Sequence, residues 1–372
     1  MKAFWAALLA FALTAFLGHV LGQTGTNQNP EGYALWASEE KSTSLAGLTE
    51  NLTEQTLPVF GSSEFMHGKQ EPFHPSQVFR GTDVTPMLIG AGYYQSLSHA
   101  VTLSAIEEAM QLKRAVLILS PQWFRKTGVV DQAYTSRFSE VLYDAMLENE
   151  GISEELKDYF WERTNVLLSP DPGTLEKVEK DRAFLYGEMN SPWERFFERI
   201  WLGFLSEKDR FSISLRQLGM GRTRGEKLEE KQEEKEEKEE ERQEEQEEKE
   251  EKLEEKKILT EKDWEELMAL AELRGEEENQ NPFYIGQESY ERLLPYLPEK
   301  KGMNADANKG YQTGPEFADL RSFVRTAREA GVEVMLVMVP VNGYYYDFTE
   351  FPASARQGYY EKIRTLAKEE GA

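Results

Sequence analysis

Short runs of aliphatic and β-branched residues alternate along this chain with longer segments of helical periodicity. Four such runs lie at residues 57–60, 87–90, 115–120 and 332–339. Runs this short and this apolar are typical of strands that are buried on both faces of a parallel sheet. An amphipathic helix that ends at Gly331 precedes the fourth run, and a helical pattern also precedes the third. The pattern predicts an α/β domain whose mostly parallel sheet is flanked by helices.

A helical insertion interrupts this pattern. Residues 151–280 carry helical periodicity and no strand signal, so we expect the α/β domain to consist of residues 57–150 and 281–372, with residues 23–56 leading into it. One segment of the insertion carries a stripe of large apolar residues at helical spacing: Trp193, Phe196, Phe197, Ile200, Trp201 and Phe204. We interpret the stripe as buried core; contact with lipid or a membrane partner is the alternative.

Within the insertion, residues 226–257 form a tract dominated by Glu and Lys. The tract holds 18 Glu against 9 Lys or Arg, and Leu228 and Leu253 are its only apolar residues. Its composition predicts a solvated helix with many i,i+4 ion pairs, or disorder, and favours a spacer over a site. The whole chain has a formal net charge of −24 and no basic stripe, which excludes nucleic acid as a partner.

The amino terminus carries a long apolar segment. After Lys2, residues 3–22 contain no formally charged residue apart from His19, and about 20 residues at ~1.5 Å each span a bilayer core. We therefore predict a single transmembrane anchor over residues 1–22, with a cleaved signal peptide as the alternative. The positive charge at Lys2 places the rest of the chain outside the cytoplasm, and the absence of cysteine agrees with export.

The loops that follow the four predicted strands carry the candidate chemistry. They contain Gly61-Ser62-Ser63, Gly90-Ala91-Gly92, Ser120-Pro121-Gln122 and Pro340-Val341-Asn342. Ligands of parallel sheets bind at the carboxyl ends of the strands, where these loops begin. A serine, a glycine N–H and a carboxamide are the groups that an acyl-transfer site needs as nucleophile and oxyanion donors. The set predicts a serine-dependent site that requires neither a metal nor a cofactor.

Several stretches of the chain resemble the DltD proteins of D-alanyl-lipoteichoic acid biosynthesis, a branch of the SGNH (GDSL-like) hydrolase superfamily. The resemblance covers nearly the whole chain apart from the Glu/Lys tract. It is carried by residues 59–65, Pro72-Phe73-His74-Pro75, Gly92 with Gln95-Ser96-Leu97 and His99, Ser120-Pro121-Gln122-Trp123-Phe124, and residues 339–343.

The resemblance implies roles for individual residues. Ser63 matches the nucleophile, with Ser62 as second choice, while Gly92 and Gln122 match the oxyanion positions. Such an enzyme is anchored in the cell membrane of a Gram-positive bacterium and passes D-alanine through a serine ester to lipoteichoic acid. Its implied partners are lipoteichoic acid, a D-alanyl donor and a membrane O-acyltransferase of the same pathway.

One feature of the family pattern is missing. SGNH enzymes carry their base and its orienting acid as Asp-x-x-His, and no Asp in this chain has a His three residues later. We therefore expect that the chain is incomplete at its carboxyl end and nearly inactive as written, because serine without a base is a poor nucleophile. His67 and His99 are candidates for lining the site, together with Trp123 and Asn342, although histidines at such positions more often have a structural role.

Two further functions remain open. The protein could be a non-catalytic adaptor that presents a carrier or teichoic acid to a membrane O-acyltransferase. It could also be a thioesterase or esterase, but export would separate it from a cytosolic carrier protein.

Overall fold

The computed structural model describes residues 30–66, 69, 74–79, 81–236, 261–278, 280–304, 314–351 and 353–372. The predicted anchor at residues 1–22 and residues 237–257 of the Glu/Lys tract lie outside them. Across the described ranges, no helix is both long enough and apolar enough to span a bilayer.

A four-stranded, fully parallel sheet forms the centre of the fold. Its strands are β1 (Thr56–Phe60), β2 (Thr85–Ile89), β3 (Arg114–Leu119) and β4 (Glu333–Met338). They lie side by side in the order β2-β1-β3-β4, with Phe60 opposite Ile89 on one side and Leu117 on the other. The predicted α/β architecture with a parallel sheet is confirmed, and each strand lies within a few residues of its predicted run.

Helices surround the sheet on both faces. Before β3 they are α1 (Pro30–Leu35), α2 (Glu39–Ser42), α3 (Leu45–Thr49), α4 (Pro75–Val78) and α5 (Ser96–Ile106). Between β3 and β4 they are α6 (Asp131–Arg137), α7 (Glu140–Glu148), α8 (Glu154–Leu167), α9 (Pro172–Leu185), α10 (Pro192–Glu236), α11 (Glu261–Glu278), α12 (Gln287–Leu293), α13 (Leu297–Lys300) and α14 (Glu316–Glu329). Two helices follow β4: α15 (Gly343–Phe348) and α16 (Ala353–Glu370).

Alternate residues of the strands enter two separate hydrophobic cores. On one face Phe60, Leu117 and Leu119 pack beneath α5 and α14, and on the other Val59 and Val116 form a smaller cluster. This alternation is the pleat of a strand that is covered on both sides. The predicted helix before β4 is present as α14, and Gly331 follows it with a φ of +65°, a conformation that glycine adopts without strain.

One prediction about the long helix α10, the burial of its aromatic stripe, was wrong. The aromatic stripe of residues 193–204 was expected in the core, yet Trp193, Phe196, Phe197, Ile200 and Phe204 are between 47% and 73% exposed. Trp201 alone turns inward, where its Nε1 donates to Glu140 Oε1 at 3.0 Å. The period of the pattern identified one helical face correctly, but no other described element covers that face.

The described parts of residues 151–280 contain helices and no strand, as the insertion predicts. Residues 226–236 of the Glu/Lys tract continue the backbone of α10. The domain boundaries themselves stay predictions.

Candidate functional site

The four loops singled out in the sequence begin at one edge of the sheet. Because all strands run parallel, the residues after Phe60, Ile89, Leu119 and Met338 emerge at the carboxyl edge. β1 lies between β2 and β3, so the serine loop is flanked directly by the loops that contain Gly92 and Gln122. The topology therefore brings the three predicted groups to adjacent positions.

The loops after β1 and β2 are in direct contact. Gly61 N–H donates to Ile89 O at 3.0 Å, which extends the strand ladder into the loops. A Cβ on Gly90, whose φ is +136°, would overlap the carbonyl oxygen of Gly61, so only glycine allows this approach. Ser62 Oγ then donates to Ala91 O at 3.1 Å, which ties the serine loop to the glycine loop.

The two serines have different environments. Ser62 is 3% exposed and its hydroxyl is engaged with Ala91. Ser63 begins a short 3-10 helix (Ser63–Met66), is half-buried, and makes no side-chain hydrogen bond with another described residue. A nucleophile needs an accessible hydroxyl that no structural bond engages. The geometry therefore favours Ser63 over Ser62.

The Glu64 carboxyl forms a hydrogen bond with the backbone of the serine turn. Its Oε1 accepts a hydrogen bond from Ser62 N–H at 2.6 Å. Burial raises the pKa of the Glu64 carboxyl, while the N–H groups of Ser62 and Glu64 itself act in the opposite direction. Because the carboxyl is engaged with the backbone, its role in this arrangement is to shape the turn.

Gly92 lies in a loop that a distant arginine holds. Its carbonyl oxygen accepts a hydrogen bond from Arg137 Nε at 2.9 Å, and Arg137 also forms an ion pair with Glu39. The next residue, Tyr93, has a φ of +78° and is 65% exposed. Among the described residues, apart from its two chain neighbours, no atom lies within 4 Å of the position that a Cβ on Gly92 would occupy, so this side of Gly92 is open with respect to them.

Gln122 and Trp123 follow β3 on a short 3-10 helix (Pro121–Phe124). The side chain of Gln122 is exposed, whereas Trp123 is 4% exposed. Gln122 therefore lies where a ligand at the carboxyl edge could meet its amide. Trp123 instead forms part of the core beneath that edge.

His99 lies inside the protein, beneath the serine and glycine loops. Its ring packs against Phe60, Tyr94 and Trp123, with centroids 5.4, 5.8 and 6.0 Å away. Burial lowers its pKa to about 3, an effect that the nearby Gly61 backbone only partly opposes. Neither ring nitrogen has a well-formed hydrogen bond within the described structure. His99 is therefore neutral at physiological pH and is enclosed by aromatic rings.

His74 and Asn342 form structural hydrogen bonds in loops near the sheet. His74 is buried and bonds Ser76 Oγ at 2.6 Å and Phe65 O at 3.3 Å, which gives it a structural role. Asn342 caps α15 by accepting from Tyr345 N–H at 2.8 Å, and its Nδ2 donates to Phe283 O. His67 lies outside the described residues.

No general base for Ser63 emerges from the described residues. Neither His74 nor His99 forms a hydrogen bond with Ser63 there. In the same part of the chain, no three His, Asp or Glu side chains lie close enough together to hold a metal ion.

Sequence reasoning missed three residues that shape the site: Glu39, Ser42 and Arg137. Ser42 Oγ accepts from Gly90 N–H at 2.8 Å, and Arg137 joins Gly92 to Glu39. These contacts join residues that are 45 to 98 positions apart. No local motif marks such partners, because they meet only when the helices pack.

The chain is similar to a family of known proteins. The model of the family described as DltD protein matches residues 37–372. Protein DltD of Bacillus subtilis is 27% identical over 323 residues, which cover 85% of this chain and 72% of the relative. Protein DltD of Staphylococcus aureus is 26% identical over 319 residues, covering 84% and 71%. Protein DltD of Lacticaseibacillus rhamnosus is 25% identical over 340 residues, covering 87% and 70%. The chain belongs to the DltD family.

Proposed function

We propose that this protein takes part in adding D-alanine to teichoic acid in the Gram-positive envelope, with Ser63 as the nucleophile. Membership of the DltD family supports the pathway. The observation that carries the serine mechanism is the hydrogen bond from Ser62 to Ala91, because it joins the serine loop to the glycine loop and leaves Ser63 accessible.

The chemistry is two acyl transfers. Ser63 Oγ attacks the carbonyl carbon of an activated D-alanyl donor, and the donor's leaving group departs. The serine proton passes to a general base, which the described residues do not supply, and this base later returns a proton to the serine. A hydroxyl of the teichoic acid polyol then attacks the D-alanyl ester, forms the new ester bond and restores the Ser63 hydroxyl. The Gly92 N–H and the Gln122 amide stabilise the tetrahedral oxyanion in both steps.

The proposed location is the outer face of the cell membrane. Residues 3–22 provide the anchor, and the α/β domain lies outside the cytoplasm. There it would meet lipoteichoic acid and the membrane O-acyltransferase of the pathway. A D-alanyl donor must reach this side of the membrane, which argues against a thioesterase acting on a cytosolic carrier.

A second candidate is the adaptor, which presents a carrier or teichoic acid to the membrane acyltransferase without a covalent step. One observation favours it: no described residue forms a hydrogen bond with the Ser63 hydroxyl in the position of a base. In this function the carboxyl edge binds the substrate but forms no ester with it.

Serine variants separate the two functions. Ser63→Ala and Ser62→Ala are introduced into the gene as its own host carries it, where teichoic acid D-alanylation depends on this protein and any natural base is present. D-alanyl esters are then released from the polymer and measured. Ser63→Ala should abolish the esters and leave thermal unfolding unchanged. Ser62→Ala should retain part of the activity, because it removes only the bond to Ala91.

Normal D-alanylation with Ser63→Ala would contradict the serine mechanism and leave the adaptor. Complete loss with Ser62→Ala alone would move the nucleophile by one residue. A fluorophosphonate probe, followed by peptide mass spectrometry, identifies the labelled serine directly and gives a readout that does not depend on the host.

A further inference from the structure

An exposed aromatic face lies on the amino-terminal half of α10. We define it by five side chains: Trp193, Phe196, Phe197, Ile200 and Phe204. They follow a spacing of three or four residues and so share one side of the helix, about 100° wide. Monomeric soluble proteins rarely expose contiguous apolar patches of this kind unless the patch is an interaction surface.

The opposite side of the same helix is firmly attached to the protein. Trp201 donates to Glu140, and Leu205 is only 8% exposed. Farther along, Asp209 Oδ2 accepts from Ala46 N–H at 2.9 Å and Ile213 packs against Tyr33. These contacts fix the rotation of α10 about its axis. The aromatic face is therefore held outward by the fold.

We propose that the aromatic face lies in the interface of the lipid bilayer and is a second attachment of the protein to the membrane. Trp and Phe on one side of a helix are the side chains that interfacial helices insert at the boundary between headgroups and acyl chains. A helix in this position lies parallel to the membrane plane. Its apolar side faces the acyl chains and its opposite side packs on the protein.

The local charge of this segment fits a lipid surface better than the rest of the chain does. Residues 192–208 contain three acidic and three basic residues and are neutral, whereas the whole chain carries −24. Of its basic residues, Lys208 flanks the aromatic face, whereas Arg195 and Arg199 lie farther round the helix. Basic side chains beside an interfacial apolar face bind the phosphates of anionic lipid headgroups. An acidic protein meets least repulsion from an anionic membrane at such a segment.

The connection to the predicted anchor places the face within reach of the membrane. This step rests on the proposed location of residues 3–22 in the bilayer. Pro30 follows Gly22 by eight residues, which span at most about 28 Å. Pro30 begins α1, and Tyr33 of that helix packs against Ile213 of α10. Residue 197 of α10 lies ~24 Å from Ile213 along the helix axis, towards its amino terminus. Both attachments can therefore reach one bilayer surface.

The chain contains no cysteine, so a single introduced cysteine gives an unambiguous spin label. Labels are placed by Phe197→Cys and Phe204→Cys in the full chain, reconstituted in phosphatidylcholine vesicles with phosphatidylglycerol. For each spin label, the frequency of collisions with oxygen, which concentrates in lipid, is compared with the frequency of collisions with a nickel chelate, which stays in water. Val166→Cys on α8 is the matched control, since Val166 is 65% exposed and Phe197 is 64% exposed. Ala12→Cys reports the predicted anchor.

The labels at residues 197 and 204 should show a several-fold higher oxygen-to-nickel accessibility ratio than the label at 166. The proposal would be overturned if the labels at 197 and 204 collided mainly with the nickel chelate while the label at 12 collided mainly with oxygen. The face would then lie in water although the anchor lies in lipid. Shielding from both reagents would show a protein contact instead, and would equally overturn it. The Ser63→Ala result does not enter these measurements, so failure of the acyl-transfer function and failure of the membrane contact are distinguishable.

Discussion

The guanidinium of Arg137 donates a hydrogen bond from Nε to the carbonyl oxygen of Gly92 at 2.9 Å. The same guanidinium forms an ion pair with Glu39 of α2, so two helices hold one peptide of the loop after β2. Tyr93, on the other side of that peptide, has a φ of +78°, which is unfavourable for a non-glycine residue. We therefore expect Arg137 and Glu39 to act as positioning residues for the predicted oxyanion loop.

Replacing Arg137 should slow acyl transfer. Arg137→Gln removes a charge-assisted hydrogen bond worth about 1.5–3 kcal/mol, so we expect roughly a tenfold fall or more in D-alanyl ester formation if the loop acts in the transition state. The fall should appear in kcat more than in KM. Arg114→Gln is the control, because Arg114 forms an exposed ion pair with Glu333 at the opposite end of β3. Equal activity of both variants would contradict the positioning role.

Two glycines of the same loop should respond differently to alanine. Gly90→Ala places a methyl group against the Gly61 carbonyl at a φ of +136°, and we expect a loss of about 3 kcal/mol or more of unfolding free energy. Gly92→Ala has open space for its Cβ and should fold normally. Urea unfolding measures both. If Gly92→Ala folds but loses D-alanylation, its open side faces the substrate, whereas unfolding of Gly92→Ala would contradict the geometry.

Two buried carboxyls, Asp144 and Asp181, pack between α7, α9 and α10, and their contribution to stability should fall as the pH rises. Burial is the main cause that raises the pKa of Asp144 to about 8 and that of Asp181 to about 9, and the nearby Glu140, Glu148 and Glu198 add to it. The unfolded pKa of Asp is about 3.9. A raised folded-state pKa means that the folded protein binds the proton more tightly. The contribution of each carboxyl to stability is therefore complete below pH ~4 and is lost as the pH rises towards 8 or 9.

The test is the free energy of unfolding by urea at pH 5, 7 and 9. Each group can contribute at most about 1.4 kcal/mol per pH unit, so we expect the contribution of the two carboxyls to decrease by a few kcal/mol across this range. Asp181→Asn should flatten the dependence, because an amide does not ionise. Asp158→Asn is the matched control, since Asp158 is exposed and pairs with Arg182. The same change in stability from pH 5 to pH 9 in the wild type and in Asp181→Asn would refute the prediction.

We expect that Asn342 stabilises the fold and does not bind substrate, and two substitutions test this. Asn342→Ala removes both the cap of α15 and the bond to Phe283 O, which should cost about 1–2 kcal/mol. Asn342→Asp keeps the capping oxygen and should recover part of that loss. Thermal unfolding and D-alanylation are measured together. Activity that falls in both variants without a change in stability would show instead that Asn342 contacts the substrate.

The sequence by itself determined the sheet and which loops lie side by side at its carboxyl edge. Short apolar runs predict strands because alternate residues of a buried strand enter two cores, and the loops after parallel strands must share one edge. Ser63, Gly92 and Gln122 could therefore be assigned to adjacent loops from their positions after the runs. Local pattern was sufficient here, because each assignment depends on residues close in sequence.

Only the tertiary structure decided which side chains are covered and which distant residues meet. Helical periodicity showed that Trp193, Phe196 and Phe197 share a face, but burial depends on another element packing over it, and none of the described elements does. His99 resembled a residue lining the site and is enclosed by three aromatic rings. Arg137 at the end of α6 meets Gly92, 45 residues away in sequence, only in the folded chain. Such contacts join residues far apart in the chain, so no local pattern encodes them.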